Sequence, residues 1–239
     1  MCTVTFLPLE NNDFILTSSR DVPFSREKAL IPKQYVEDEV VLFYPKDGKA
    51  GGSWIGTSDK KRLICLLNGG FENHQQKDFY SKSRGIIVKE LLKVKDITSA
   101  CKNIDLDHVE PFTLVIVEWD FELYLFEFVW DGFNKHLKIL PQEPQIWSSS
   151  TLYTDEMKLM RKGWFAEWLF NFEQENISES NSDTHRALTQ EKILNFHHTA
   201  GVGNPKIDVL MKRPKVGTVS ITQVSKFEGQ IKMTYEEIA

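Results

Sequence analysis

The chain has 239 residues, 41% hydrophobic and 26% charged, with a formal net charge of −5, which suits an ordinary globular protein able to bury a sizeable core. Basic residues form no long stripe, so binding to nucleic acid through phosphate neutralisation is not expected. No apolar run approaches the ~20 residues that span a bilayer, and no charged-then-apolar leader opens the chain.

Thr3 to Pro8 and Phe14 to Ser19 are β-branched and aromatic runs separated by Glu10-Asn11-Asn12-Asp13, which predicts a hairpin. Residues 20 to 50 are expected to be irregular, because Pro23, Pro32, Pro45 and Asp47-Gly48 interrupt any long element. A second strand pair is expected at Ser53 to Ser58 and Arg62 to Asn68, joined through Asp59-Lys60-Lys61. Ser83 to Lys95 carries Ile86, Ile87, Leu91 and Leu92 at helical spacing. Phe112 to Val117 is nearly all apolar, as in a strand buried on both faces, and Leu123 to Trp130 is its expected partner. His136 to Leu140 adds a short strand. Thr154 to Phe172 predicts a helix with Met157, Met160, Trp164, Trp168 and Leu169 toward a core. A Ser/Asn-rich stretch from Glu175 to Thr184 reads as a loop, and Leu188 to Phe196 as a shorter helix. Strands at Gly217 to Val224 and Gln230 to Glu236 close the chain. Strands at both termini, with helices between them, indicate an α+β sheet system in one domain over residues 1–239.

Three cysteines, Cys2, Cys65 and Cys101, have no metal-like spacing and form an odd set, so free thiols in a reducing, cytoplasmic compartment are expected. The adjacent His197-His198 would point about 100° apart on a helix and cannot ligate one metal from one face. No metal or cofactor is expected.

Chemistry concentrates at four places. Cys2 directly follows the initiator methionine. Loss of Met1 would leave a thiol and a free α-amine on one residue. Such an amine titrates near ~7.7–8.0, so nucleophile and general base would sit together. Ser19-Arg20-Asp21 ends the second strand with adjacent charges, Gly51-Gly52-Ser53-Trp54-Ile55-Gly56 is glycine-rich, and Leu67-Asn68-Gly69-Gly70 ends an apolar strand. Singly, each has a structural reading: a solvated ion pair, a turn around a core Trp, a positive-φ corner. Together they suit one mechanism. A guanidinium favours a thiolate, a carboxylate holds an α-amine, and an Asn side chain with a following amide suits an oxyanion. Antiparallel pairing of the first two strands would bring Arg20 and Asp21 within reach of Cys2.

Met1-Cys2, Ser19-Arg20-Asp21-Val22, Gly51 to Gly56 and Leu66-Leu67-Asn68 resemble the NRDE family, relatives of the transport and Golgi organisation protein of animals. Ser83-Arg84-Gly85, Ser148 to Lys158 and Gly217-Thr218-Val219 resemble later segments of that family, so the likeness covers nearly the whole chain. Ser19 and Val22 replace the outer Asn and Glu of the naming motif. The resemblance implies an α+β fold, the four-layer αββα sandwich of the N-terminal nucleophile hydrolases, whose members cleave non-peptide amides. It implies Cys2 as nucleophile, Arg20 and Asp21 as its partners, and Asn68 as oxyanion donor. Trp54 is expected to wall a substrate pocket, Ser149 stands where relatives carry a second Asn, and Arg213 or Lys215 matches a late Arg. The implied ligand is a small-molecule amide. A different class is implied by the animal relative: a binding or trafficking protein for an acyl lipid, acyl-CoA or haem.

Protein purified from its native host is expected to begin at Cys2. Intact mass spectrometry checks this, and active native material that fully retains Met1 would exclude the α-amine as base.

Overall fold

The computed structural model describes residues 3–175 and 183–238. In chain order these form β1 (Thr3–Pro8), β2 (Phe14–Pro23), β3 (Leu30–Glu37), β4 (Val40–Lys46), β5 (Ile55–Ser58), β6 (Arg62–Asn68), α1 (Arg84–Lys93) and α2 (Ile97–Asn103). There follow β7 (Phe112–Glu118), β8 (Tyr124–Trp130), β9 (Lys135–Leu140), β10 (Gln145–Ser148), α3 (Asp155–Glu175), α4 (Asp183–Thr199), β11 (Val216–Phe227) and β12 (Gln230–Glu237). They divide into two compact units. One holds Ser25–Glu143 and Ser149–Leu152; the other holds the residues up to Phe24, Pro144–Ser148 and the residues from Tyr153 onward.

The first unit is built on a seven-stranded sheet in the order β3-β4-β5-β6-β7-β8-β9, every neighbouring pair antiparallel. Leu114, Val115, Ile116 and Val117 of β7 are all fully buried, so both faces of the central strand are covered. Helix α1 packs on β5 and β6, and α2 lies against β9. The glycine-rich segment explains how closely α1 approaches. A Cβ on Gly52 would stand 2.4 Å from the carbonyl carbon of Gly85, and one on Gly56 would stand 3.0 Å from Leu92. The Ser53 amide donates to the Gly85 carbonyl at 3.2 Å. Gly51 to Gly56 and Ser83-Arg84-Gly85 therefore meet as one packing device.

Residues 20 to 50 are not irregular. Strand β2 continues to Pro23, and β3 and β4 form a hairpin through Asp38 and Glu39, which take φ values of 51° and 62°. Two consecutive positive φ angles give the tight hairpin turn usually signalled by Asn-Gly, and Asp-Glu does not carry that signal. Pro32 is tolerated because β3 is an edge strand whose register shifts between Leu30 and Lys33, and Pro45 lies opposite that shift. The short α2 and β10 were likewise not expected. Helix α2 is set by Asp96, whose side chain caps the amides of Thr98 and Ser99.

The second unit carries a five-stranded antiparallel sheet in the order β10-β1-β2-β11-β12. The first strand is interior to it, with Thr3 to Phe6 paired to β10 on one side and Thr3 to Pro8 paired to β2 on the other. Helices α3 and α4 cover this sheet through a core of Leu7, Ile15, Phe165, Ile193, Phe196 and Val209. Of the loop predicted from Glu175 to Thr184, residues 176–182 lie outside the described residues, while Glu175 ends α3 and Asp183 and Thr184 open α4.

Gly52→Ala should destabilise the protein by about 1–3 kcal/mol, because backbone stands where its methyl group would go. Gly163→Ala, on an exposed helical site with nothing within 4 Å of a new Cβ, should stabilise it by about 0.5–1 kcal/mol. Paired chemical denaturation curves check both signs.

Candidate active site

Antiparallel register sets Thr3 of β1 against Ser19 of β2, so Arg20 and Asp21 follow directly along β2. Both are nearly fully buried, at 2% and 1% exposure. Consecutive strand residues project to opposite faces, so the two side chains leave the sheet on different sides. Across the sheet Asp21 pairs with Thr218 of β11, just where the register shifts between Thr218 and Ser220. The Thr218 hydroxyl donates to Asp21 Oδ1 at 2.6 Å, and the Tyr153 hydroxyl donates to Oδ2. Thr218 Oγ1 in turn accepts the Met211 amide at 3.0 Å. Burial, and after it the charge of Asp21, pushes the Tyr153 phenol well above its ordinary value of 10. Tyr153 is therefore a neutral, permanent donor to the carboxylate.

A second buried cation stands beside this group. Arg161 of α3 is fully buried, with its guanidinium carbon 3.7 Å from the Tyr153 ring centroid. Its Nη1 donates to Thr3 Oγ1, and its Nη2 donates to the carbonyls of Ile207 and Asp208 at 3.1 and 2.6 Å. The Arg213 guanidinium also faces the Tyr153 ring, at 5.5 Å. Of the two late basic candidates, Arg213 thus joins this cluster, whereas Lys215 is exposed. Tyr153 and Arg161 were not among the expected site residues. Arg161 shares a helical stripe with Met157 and Phe165, so the pattern marked its position but not its role, and Phe165 rather than Met160 is the buried apolar neighbour.

Asn68, Ser149 and Trp54 belong to the other unit. Asn68 ends β6, and Gly69 then takes φ +83°, where a Cβ would meet Ser150 Oγ at 2.1 Å. The Ser149 hydroxyl donates to the Asn68 carbonyl at 2.8 Å and bonds Thr151 Oγ1 at 3.0 Å. Asn68 Oδ1 is buried and has no hydrogen-bond partner among the described residues. Trp54 is 2% exposed, and its carbonyl accepts the Leu66 amide at 2.7 Å. Cys2 lies outside the described residues. Cys65 and Cys101 are buried, and burial pushes the Cys101 thiol up to about 12. That thiol is inert at neutral pH.

The family model described as Transport and Golgi organisation 2 matches residues 1–216. The chain belongs to this family. No curated protein matches it. Solved structures do. A Caenorhabditis elegans ortholog of N-acylethanolamine-hydrolyzing acid amidase is similar with a TM-score of 0.56 at 11% identity, over 93% of this chain and 92% of that one. Penicillin V acylase from Agrobacterium tumefaciens gives a TM-score of 0.54 at 12% identity, over 99% and 86%. A variant of conjugated bile acid hydrolase from Clostridium perfringens gives 0.54 at 11%, over 98% and 92%. At such identities the likeness shows the fold, and the family member described here has the α+β fold of the N-terminal nucleophile hydrolase type. No helix of the described residues is long and apolar enough to cross a membrane.

One further buried group braces β1 and β2. The His197 ring, fully buried in α4, meets Thr5 Oγ1 and Ser19 Oγ at 2.8 Å each. A neutral ring donates to one hydroxyl and accepts from the other. Its neighbour His198 instead reaches Glu236 at the surface. Burial, then the charges of Arg161 and His198, draws His197 down from 6.5 to about 3. The unfolded chain takes up this proton near pH 6.5 and the folded chain only near pH 3. The stability that His197 contributes as a neutral group is thus fully present above about 6.5 and is lost as pH falls toward about 3, at a slope of about 1.4 kcal/mol per pH unit. Urea midpoints measured between pH 7.5 and 4 should fall with acid, and His197→Gln should flatten that fall. An unchanged slope in the variant would contradict the assignment.

Proposed function

We propose that the protein is a cysteine N-terminal nucleophile hydrolase that cleaves a small non-peptide amide through an acyl-enzyme. The observation that carries this reading is Asp21, a buried carboxylate held by two hydroxyl donors on β2, two residues past the partner of Thr3. A protein has little structural use for a carboxylate desolvated at such a place, whereas an α-amine serving as base needs one. The family membership and the shared fold support the same reading, and the fold's similar structures include an amidase and an acylase by name.

On this reading the α-amine of Cys2 accepts the thiol proton as Sγ attacks the substrate carbonyl carbon. The oxyanion takes a hydrogen bond from Asn68, with Ser149 steadying the strand end that bears it. As the C–N bond breaks, the proton passes from the α-ammonium to the leaving nitrogen, and a thioester remains. Water then attacks the thioester, the α-amine takes its proton, and the thiolate leaves and is reprotonated as the carboxylic acid departs. Arg20 favours the thiolate, and Trp54 contributes apolar wall. The protein acts in the cytoplasm, where a free N-terminal thiol persists.

A panel of acyl amides with varied acyl groups and leaving amines tests this. Wild type should release carboxylic acid and amine from at least one member, and Cys2→Ala should lower that rate by roughly a thousand-fold or more. Hydrolysis unchanged in Cys2→Ala would refute catalysis by this residue. Tight binding of acyl lipid, acyl-CoA or haem without turnover would instead identify a carrier.

A further inference from the structure

The Asp21 carboxylate is joined to a helix that the hydrolytic reading does not use. Tyr153 stands two residues before α3, and its hydroxyl bonds Asp21 while its ring lies against Arg161, one residue short of two turns into that helix. Arg161 is anchored by two backbone carbonyls and reaches Thr3, the first described residue of β1. A carboxylate, a phenol and a guanidinium thus form one buried chain from β2 to the start of β1. From this geometry we infer that Tyr153 is a positioning residue, which fixes the orientation of the Asp21 carboxylate and is itself clamped by Arg161. The inference rests on the reading of Cys2 as nucleophile for its consequence in catalysis.

The physical argument is one of degrees of freedom. A carboxylate on a strand can rotate about two bonds, and it presents a chosen lone pair to an amine only if its other lone pairs are occupied. Thr218 occupies Oδ1 and Tyr153 occupies Oδ2. Thr218 belongs to the same sheet and moves with Asp21. Tyr153 comes from outside the sheet, so it supplies the reference against which the carboxylate is oriented. Stacking on a planar guanidinium holds the phenol ring, because the guanidinium's own donors are committed to fixed backbone oxygens. Removing the hydroxyl alone leaves that stacking intact.

The test is the pH dependence of Cys2 alkylation by iodoacetamide, followed site by site by mass spectrometry in full-length protein. Asp21→Asn should move the profile toward lower pH, since an amine loses a neighbouring anion. Tyr153→Phe should move it the same way by roughly half a pH unit, and the double variant should match Asp21→Asn alone. Replacing Tyr153 with p-aminophenylalanine, which keeps the ring and a weaker donor, should restore most of the wild-type profile. That variant also serves if Tyr153→Phe does not fold. A Tyr153→Phe profile identical to wild type, or one that adds fully to Asp21→Asn, would overturn the positioning role while leaving the hydrolase reading intact. If Cys2 alkylates identically in wild type and Asp21→Asn, the hydrolase reading fails instead. The positioning claim is then decided by urea unfolding of the same four proteins: non-additive effects of the two substitutions uphold it, and additive effects overturn it.

Discussion

A carboxylate taken out of water must be surrounded by donors, and much of the second unit is arranged around meeting that demand for Asp21. Thr218 meets it from the neighbouring strand and Tyr153 from the approach to α3. Once Tyr153 is committed, its ring has to be covered, and Arg161 covers it. Once Arg161 is buried, its own donors must be spent, and they are spent on Ile207, Asp208 and Thr3. The chain of obligations runs from β11 through β2 and α3 to the first residue of β1. Each link satisfies a group that would otherwise cost several kcal/mol unpaired.

The same sheet face is polar well beyond Asp21. Thr5 and Ser19 share the His197 ring, and Gln223 donates to Thr17 at 3.1 Å. Such a face would be an expensive substitute for an apolar core unless the polar groups closed on one another. They do so under α3 and α4, while the apolar cluster around Phe165 and Phe196 occupies the far end of the same strands. The division is legible along β1 itself, where Thr3 and Thr5 give way to Leu7 on the same side. Dehydrated polar packing thus occupies one end of the strands and ordinary hydrophobic packing the other.

In the other unit the dominant constraint is close approach of backbone. Gly52 and Gly85 touch without side chains between them, and Gly69 takes a conformation and a space that no Cβ could share. Segments that look in sequence like a catalytic glycine loop act here as spacers, which set α1 on its sheet and turn the chain sharply after Asn68. The motif's glycines answer to packing.

Elements with strong local patterns were readable from the residues alone. β-branched and aromatic runs gave β1 and the first part of β2, a continuous apolar run gave β7, and helical spacing gave α1 and α3. Each depends on contacts between near neighbours in sequence or on one buried face, and both leave a period in the residues. The β3–β4 hairpin escaped because its turn is Asp-Glu and its prolines sit at an edge, facts visible only when the strand order is known. The family motifs marked Asp21, Asn68 and Ser149, and the pairing of Asn68 with Ser149 across 81 positions emerged only in three dimensions. Tyr153 and Arg161 belong to the same class. Nothing local distinguishes a tyrosine before a helix or an arginine within one, since their function is to satisfy groups 132 and 158 positions away. Sequence determined the strands and helices with strong local patterns and several residues fit for chemistry, because those are written in local period and residue type. Tertiary structure decided which polar groups are buried together, because hydrogen-bond satisfaction is a property of the closed interior.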